Sequence, residues 1–228
     1  MARSSQRSEV MVRPGCLFMA LCFYLVVDAQ LLHPPVVYQG HSYPVVRIGD
    51  QWWFAENLRM ELYRNGDTIP TLPQAGAWRN ARIGAHAVYR SDPEMLSIYG
   101  RLYNWHAVTD QRGLCPQGWR VPTAADWEAL AFALGGDSLA GGVLKDTLFW
   151  GGPNTGATNA SGFNGRPGGA RSNYGEYLFE GAYGYYWSST PDGPDKAVFR
   201  FLATYNADLY WNSSEPQDGF SCRCVRDR

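Results

Sequence analysis

Long apolar runs are scarce in this chain of 228 residues. One occurs, Cys16 to Val27, and no later run approaches the roughly 20 residues that a membrane span requires. Lysine is nearly missing, with Lys145 and Lys196 the only two. Arginine therefore carries almost all the positive charge, a bias ascribed here to codon usage and given no functional weight. An excess of one charge is missing as well. The 20 basic and 21 acidic residues leave a net charge of −1, which gives no electrostatic basis for holding nucleic acid. No repeat and no low-complexity tract occurs. No Gly-rich run leads into the Lys-Ser/Thr of a phosphate loop, and no Ser/His/Asp order stands out. The four histidines, His33, His41, His86 and His106, lack metal-ligand spacing.

What is present begins with an address. Arg3, Arg7 and Arg13 precede the apolar run, and Val27-Asp28-Ala29 places small residues where a signal peptidase reads. This pattern predicts a secretory signal over residues 1–29, cleaved after Ala29, with Met11 an alternative start. A lipoprotein signal does not fit, because Leu21 precedes Cys22 where a small residue is needed. The expectation is a secreted or cell-surface protein with no integral membrane segment after cleavage. Removing three Arg, Glu9 and Asp28 leaves 20 − 3 = 17 basic and 21 − 2 = 19 acidic residues. A chain of about 200 residues suits one domain with a substantial core.

Export also removes Cys16 and Cys22, so the mature chain keeps Cys115, Cys222 and Cys224. In an oxidising compartment two of these three should pair. Cys222 and Cys224 are alternate residues of a strand-like run, too far apart for disulfide geometry. Cys115 is thus expected to bond one of them, leaving one free thiol.

Aromatic residues make up 14% of the chain and glycines number 25, a combination that favours a β-rich, loop-rich fold with large side chains presented from tight turns. Residues 30–42 read as an irregular leader, and Pro44–Ala55 as a hairpin turning at Gly49-Asp50. Arg59–Leu96 carries breakers at Asn65-Gly66, Pro70, Pro73 and Pro93, and reads as a long excursion with short elements. Gly100–Val108 is strand-like. The strongest helix start lies at Thr123, an N-cap with Asp126 three residues on, followed by Trp127, Leu130, Ala131 and Leu134 at helical spacing. A second helix over Ser138–Asp146 is weakened by Gly141 and Gly142. Trp150–Gly175 is loop. Short strands are expected at Glu176–Phe179, Gly184–Ser189, Ala197–Thr204, Asp208–Trp211 and Phe220–Arg226. The fold class is α+β: one or two central helices with antiparallel sheets of short strands.

Six runs carry a resemblance: V-R-I-G-D-Q-W-W-F-A-E-N-L from Val46, Y-R-N-G-D-T-I-P from Tyr63, Y-G-R-L-Y-N-W-H-A-V from Tyr99, G-L-C-P-Q-G-W-R-V-P-T-A-A-D-W-E-A-L from Gly113, G-Y-Y-W-S-S-T from Gly184 and G-F-S-C-R-C-V-R-D from Gly219. In this order they resemble the Fibrobacter succinogenes major paralogous domain over residues 43–228, a family of secreted or surface proteins of bacteria such as Bacteroidetes. The R-V-P-T-x-x-D-W-E and W-S-S-T runs are also similar to those of the C-type-lectin-like fold. That resemblance implies paired N- and C-terminal strands and a helix tied to the last strand by a disulfide, Cys115 with Cys224. Cys222 departs from the family pattern, where an aliphatic residue is usual. It is read as a buried small hydrophobe and the candidate free thiol.

The same resemblance places a ligand face in the stretch from Tyr205 to Gly219. Its Tyr, Trp, Asn and Ser residues suit adaptable recognition, rigid rings beside short polar groups. The candidate ligand-binding residues are Tyr205, Asn206, Asp208, Tyr210, Trp211 and Asn212. Tyr183, Tyr185 and Tyr186 are weaker candidates because Gly184–Ser189 reads as an inner strand. Asp208, Glu215 and Asp218 are carboxylates able to ligate calcium, but the nearby words run in the reverse order of those in calcium-dependent lectins. Turn residues are the preferred reading, so no cofactor is assigned. Formylglycine-generating enzymes, of similar fold, use a late cysteine pair with copper, yet the spacing of Cys222 and Cys224 is wrong for that pair. No catalytic residue is assigned. The expected function is an exported binding or adhesion module for a glycan or protein. The alternatives are a structural component of a surface assembly or, third, a cysteine-dependent oxidase. Arg120, Arg166 and Arg200 are expected to pair with carboxylates such as Asp126 or Glu128.

Overall fold

Tyr38 of the expected leader and Tyr43 just after it are buried in the core. They belong to a hairpin of β1 (Val36–Tyr38) and β2 (His41–Tyr43), not to an irregular segment. Its turn residues Gln39 and Gly40 both take positive φ, 47° and 80°, as a two-residue turn of primed type requires. The structure, a computed structural model, describes residues 33–227; the expected signal over residues 1–29 lies outside the described residues. The hairpin expected over Pro44–Ala55 forms as β3 (Val45–Ile48) and β4 (Gln51–Phe54). The last strand of the chain pairs on the far side of β4, Val225 opposite Trp53, so the two chain ends share one antiparallel sheet.

The excursion after residue 58 contains short elements, as its breakers imply. These are α1 (Ala75–Arg79), β5 (His86–Ala87) and α2 (Pro93–Tyr99). Pro93 starts α2 rather than interrupting the chain: Asp92 is the N-cap, accepting from Glu94 N at 2.8 Å, and proline sits where the helix has no N–H to satisfy. The strand expected over Gly100–Val108 is cut to β6 (Leu102–Tyr103) by Asn104. The Asn104 side chain accepts from Ala85 N and Ala107 N and donates to Ile83 O, so the chain turns into α3 (Trp105–Val108).

The central helix forms as α4 (Ala124–Ala133), with the complete capping box of Thr123 and Asp126. Burial alone would raise the Asp126 carboxyl. Hydrogen bonds from Arg120 and Thr123 outweigh it and hold the pKa at about 2. Arg120 thus pairs with Asp126, and also with Asp227, while Arg166 pairs with Asp146 and Arg200 with Asp137. Next come α5 (Asp137–Leu144), β7 (Ala170–Arg171), β8 (Tyr177–Leu178), β9 (Tyr183–Pro191), β10 (Ala197–Ala203), β11 (Leu209–Ser214) and β12 (Val225–Asp227). The expected strand Phe220–Arg226 is regular only at its end. Before that its backbone changes partner residue by residue: Phe220 bonds Tyr103, Ser221 donates to Tyr185 O, Cys222 accepts from Leu58, and Cys224 accepts from Phe54.

One core lies where α4 and α5 meet β9, β10 and β4. Trp127 packs against Trp53 at 4.9 Å between ring centroids, with Phe163, Tyr186, Leu130, Leu144 and Leu202 around them. The apolar stripe read from the sequence is the buried one. A second core gathers Tyr43, Phe54, Tyr103, Trp119, Trp187 and Phe220 around the Cys115–Cys224 disulfide, whose Cα atoms are 5.9 Å apart. Cys222 is fully buried and free, and burial raises its thiol pKa.

Candidate functional site

Alternation along β9, β10 and β11, whose order is β11-β10-β9, gives their sheet two unlike faces. Tyr186, Arg200, Leu202, Leu209 and Trp211 point one way, and the buried members of this set pack under α4 and α5. The other face carries Tyr183, Tyr185 and Trp187 on β9, Phe199 and Phe201 on β10, and Tyr210 and Asn212 on β11. Its lower half is closed by Phe220, 4.5 Å from Trp187 and 4.8 Å from Phe199. Phe220 also stacks on Tyr185 at 5.1 Å, and beyond that contact Tyr183, Phe201 and Tyr210 are half-buried. Tyr185, Phe201 and Tyr210 lie directly opposite one another across the three strands, with Phe201 stacked on Tyr210 at 4.8 Å. Tyr183 stacks beside Tyr185 at 5.6 Å.

Two exposed rings extend this row. Phe179, after β8, stands 5.4 Å from Tyr183, and Tyr205, after β10, stands 6.1 Å from it; each is 51% exposed. Phe179 is also held at φ 66°, an uncommon backbone for an aromatic residue. Polar groups frame the rings on one side. Asn206 donates through Nδ2 to Asp208 Oδ2 at 3.0 Å and to the Tyr210 hydroxyl. Burial raises the Tyr185 and Tyr205 phenols, and a hydrogen bond with Asp208 raises Tyr210, so all three stay neutral donors at physiological pH. A surface of ring faces beside an amide, a carboxylate and phenols can stack on flat apolar faces while hydrogen bonding to hydroxyls.

The loop bearing Tyr205, Asn206 and Asp208 is positioned from below. Lys145, at the C-terminal end of α5, is fully buried and donates its three N–H bonds to Asn206 O (2.7 Å), Thr155 O (2.8 Å) and Ala203 O (3.0 Å). Gly141 and Gly142 let the same loop lie on the helix: a Cβ on Gly141 would sit 2.1 Å from Asp208 O, and Gly142 N donates to Ala207 O.

The six residues singled out from the sequence are therefore divided. Tyr205, Asn206, Asp208 and Tyr210 come together. Trp211 is 62% exposed but projects from the opposite face of β11, beside Arg200 in the strand pairing. Asn212 shares the aromatic face farther along the strand, opposite Phe199, and its Oδ1 accepts from Ser213 N. Tyr183 and Tyr185, the weaker candidates, lie on the aromatic face; β9 is inner as expected, bridged on its outer side by Gly169 and Ser221. Tyr186 points into the core. The pattern Tyr183-Gly-Tyr185 already places two rings on one face, whereas Phe179 and Phe201 join them only through folding. Of the three carboxylates, Asp208 stands apart from Glu215 and Asp218, which share Asn173. Asp208 holds Asn206, Glu215 accepts from Asn173 Nδ2, and Asp218 accepts from Asn173 N and Ser214. Among the described residues no group of three or more His, Cys, Asp or Glu side chains is placed to hold a metal ion, and no helix is long and apolar enough to cross a membrane.

A family model described as the Fibrobacter succinogenes major domain matches residues 46–226. No curated protein and no solved structure matches the chain.

Proposed function

The chain belongs to the Fibrobacter succinogenes major domain family, and from that premise and the geometry of the aromatic sheet face we propose an exported, cell-surface binding module of C-type-lectin-like fold. Its ligand is a glycan or a protein loop, held on the rings of Tyr183, Tyr185, Phe201, Tyr205 and Tyr210. The observation that carries this reading is the partly exposed aromatic row beside Asn206 and Asp208. The lectin-like fold is supported by the pairing of β12 with β4 and by the disulfide from the approach of α4 to the last strand. Export is supported by the same disulfide, a bond that persists in oxidising compartments. A cysteine-dependent oxidase has less support: Cys224 is consumed in the disulfide and Cys222 is buried.

The test is an array of glycans and proteins probed with the purified chain, with hits quantified by calorimetry. Replacing Tyr205 and Tyr210 together by Ala should weaken the hit at least tenfold, about 1.4 kcal/mol or more. Trp211→Ala, on the opposite face, should leave it unchanged. A chain that binds nothing on the array, or whose binding ignores the tyrosine pair, would instead support a structural component of a surface assembly.

A further inference from the structure

A second cavity, of about 230 Å³, lies apart from the aromatic row, between the chain after Pro70, β5 and the β7–β8 hairpin. Thr71, His86, Ser91, Arg101, Arg171 and Tyr177 supply its polar lining. Its charge is unbalanced. Arg171 is 1% exposed, lies between the rings of Trp78 (4.3 Å) and Tyr177 (5.2 Å), and donates to Leu72 O, Pro73 O and Gly175 O. All three acceptors are neutral, and among the described residues no carboxylate pairs with it. Buried charges are ordinarily paired. Arg101 has its own counter-ion, Glu61 at 3.0 Å, so the excess positive charge belongs to Arg171.

The cavity also holds a buried donor without a protein acceptor. His86 is 2% exposed, and Arg101 Nη1 lies 3.3 Å from its Nδ1. A guanidinium only donates, so Nδ1 accepts and the ring proton resides on Nε2. Among the described residues that Nε2–H meets no protein acceptor, while the hydroxyls of exposed Thr71 and Ser91 and of half-buried Tyr177 stand at the cavity mouth. Burial, with Arg101 beside it, holds His86 neutral, its pKa lowered to about 3. The rim is set by two consecutive left-handed residues, Arg90 (φ 51°) and Ser91 (φ 58°), uncommon backbone for residues other than glycine.

We infer that this cavity binds the carboxylate of a hexuronate-type sugar unit, with the carboxylate facing Arg171 and His86 Nε2–H and the ring hydroxyls meeting Thr71, Ser91 and Tyr177. Arg171 differs from the other buried cations held by carbonyls in lining a cavity beside the free His86 Nε2–H, a pairing that suits an anionic oxygen ligand. The volume falls below that of pockets for drug-sized ligands, which limits the occupant to about one sugar ring. Leu72 and Val88 give that ring an apolar flank.

The experiment is calorimetric titration of the full mature chain with glucuronate, glucose and acetate. Glucuronate should bind saturably, with glucose and acetate each at least tenfold weaker. Arg171 also ties loops, so the informative variants are Thr71→Val and Tyr177→Phe. Each should weaken glucuronate at least threefold with an unchanged circular dichroism spectrum. The Tyr205→Ala/Tyr210→Ala double variant should leave glucuronate affinity intact, which separates this site from the aromatic face. Equal affinity for glucose overturns the charge argument, and equal affinity for acetate overturns the sugar. The absence of saturable binding, or indifference to both variants, overturns the site.

Discussion

Lys145 shows how much a single side chain can hold. One of two lysines in the chain, it is buried without a carboxylate partner among the described residues, and its ammonium gathers three carbonyls from two loops. Burial lowers its pKa to about 8, against 10.5 for the free group. The unfolded chain therefore holds this proton more tightly than the folded one. Its titration opposes folding below pH 8, and stability rises as pH climbs from 8 towards 10.5. Urea unfolding of wild type and Lys145→Met across that window should show the advantage of wild type growing with pH. The comparison also separates Lys145 from the buried tyrosines, such as Tyr43 and Tyr103, whose raised pKa values act in the opposite direction. At any pH the methionine variant should be less stable by about 1–3 kcal/mol, because three carbonyls lose their donor. The arginines act in the same way. Arg223 is buried and donates to Phe54 O, Phe163 O, Asn164 O and Asn57 Oδ1. The arginine bias that the composition offered as codon usage thus has a structural use, since a guanidinium can satisfy several loop carbonyls at once.

At the scale of elements, α4 and α5 were legible for different reasons. The α4 boundaries follow from Thr123, Asp126 and the apolar spacing, all of them local signals. In α5 the paired glycines looked like a weakness. Folding reveals their purpose, which is to let the β10–β11 loop rest on the helix. Helix propensity alone predicts that Gly141→Ala stabilises by about 1 kcal/mol. The contact with Asp208 O reverses that sign: the variant should lower the melting temperature and weaken binding on the aromatic face, read by thermal denaturation and calorimetry. The expected strands at β9, β10 and β11 were found within a few residues. Which face of β9 keeps partly exposed rings was not legible, because that depends on what packs on each face: α4 and α5 on one, and Phe220 on part of the other.

At the scale of the whole molecule, the Cys115–Cys224 disulfide closes a loop of 109 residues and ties the approach to α4 to the C-terminal end. Its removal in the Cys115→Ser/Cys224→Ser double variant should cost about 2–5 kcal/mol, measured by urea unfolding. Cys222→Val should cost far less, since its thiol is a small buried apolar group. Strand exchange at the C-terminal end has the same consequence at this scale. Residues 220–225 bond in turn to the chain near Tyr103, Tyr185, Leu58, Phe54 and Arg120, so loss of the disulfide loosens several elements together.

The sequence by itself determined the α+β class, the capped helix, the hairpin of β3 and β4 and the family, because caps, turn residues, alternation and motif order are local and survive in one dimension. The tertiary structure alone decided which tyrosines face outward and that Arg171 and His86 line one cavity. Those outcomes rest on contacts between residues tens of positions apart, and on the burial that sets their charge and leaves a donor free.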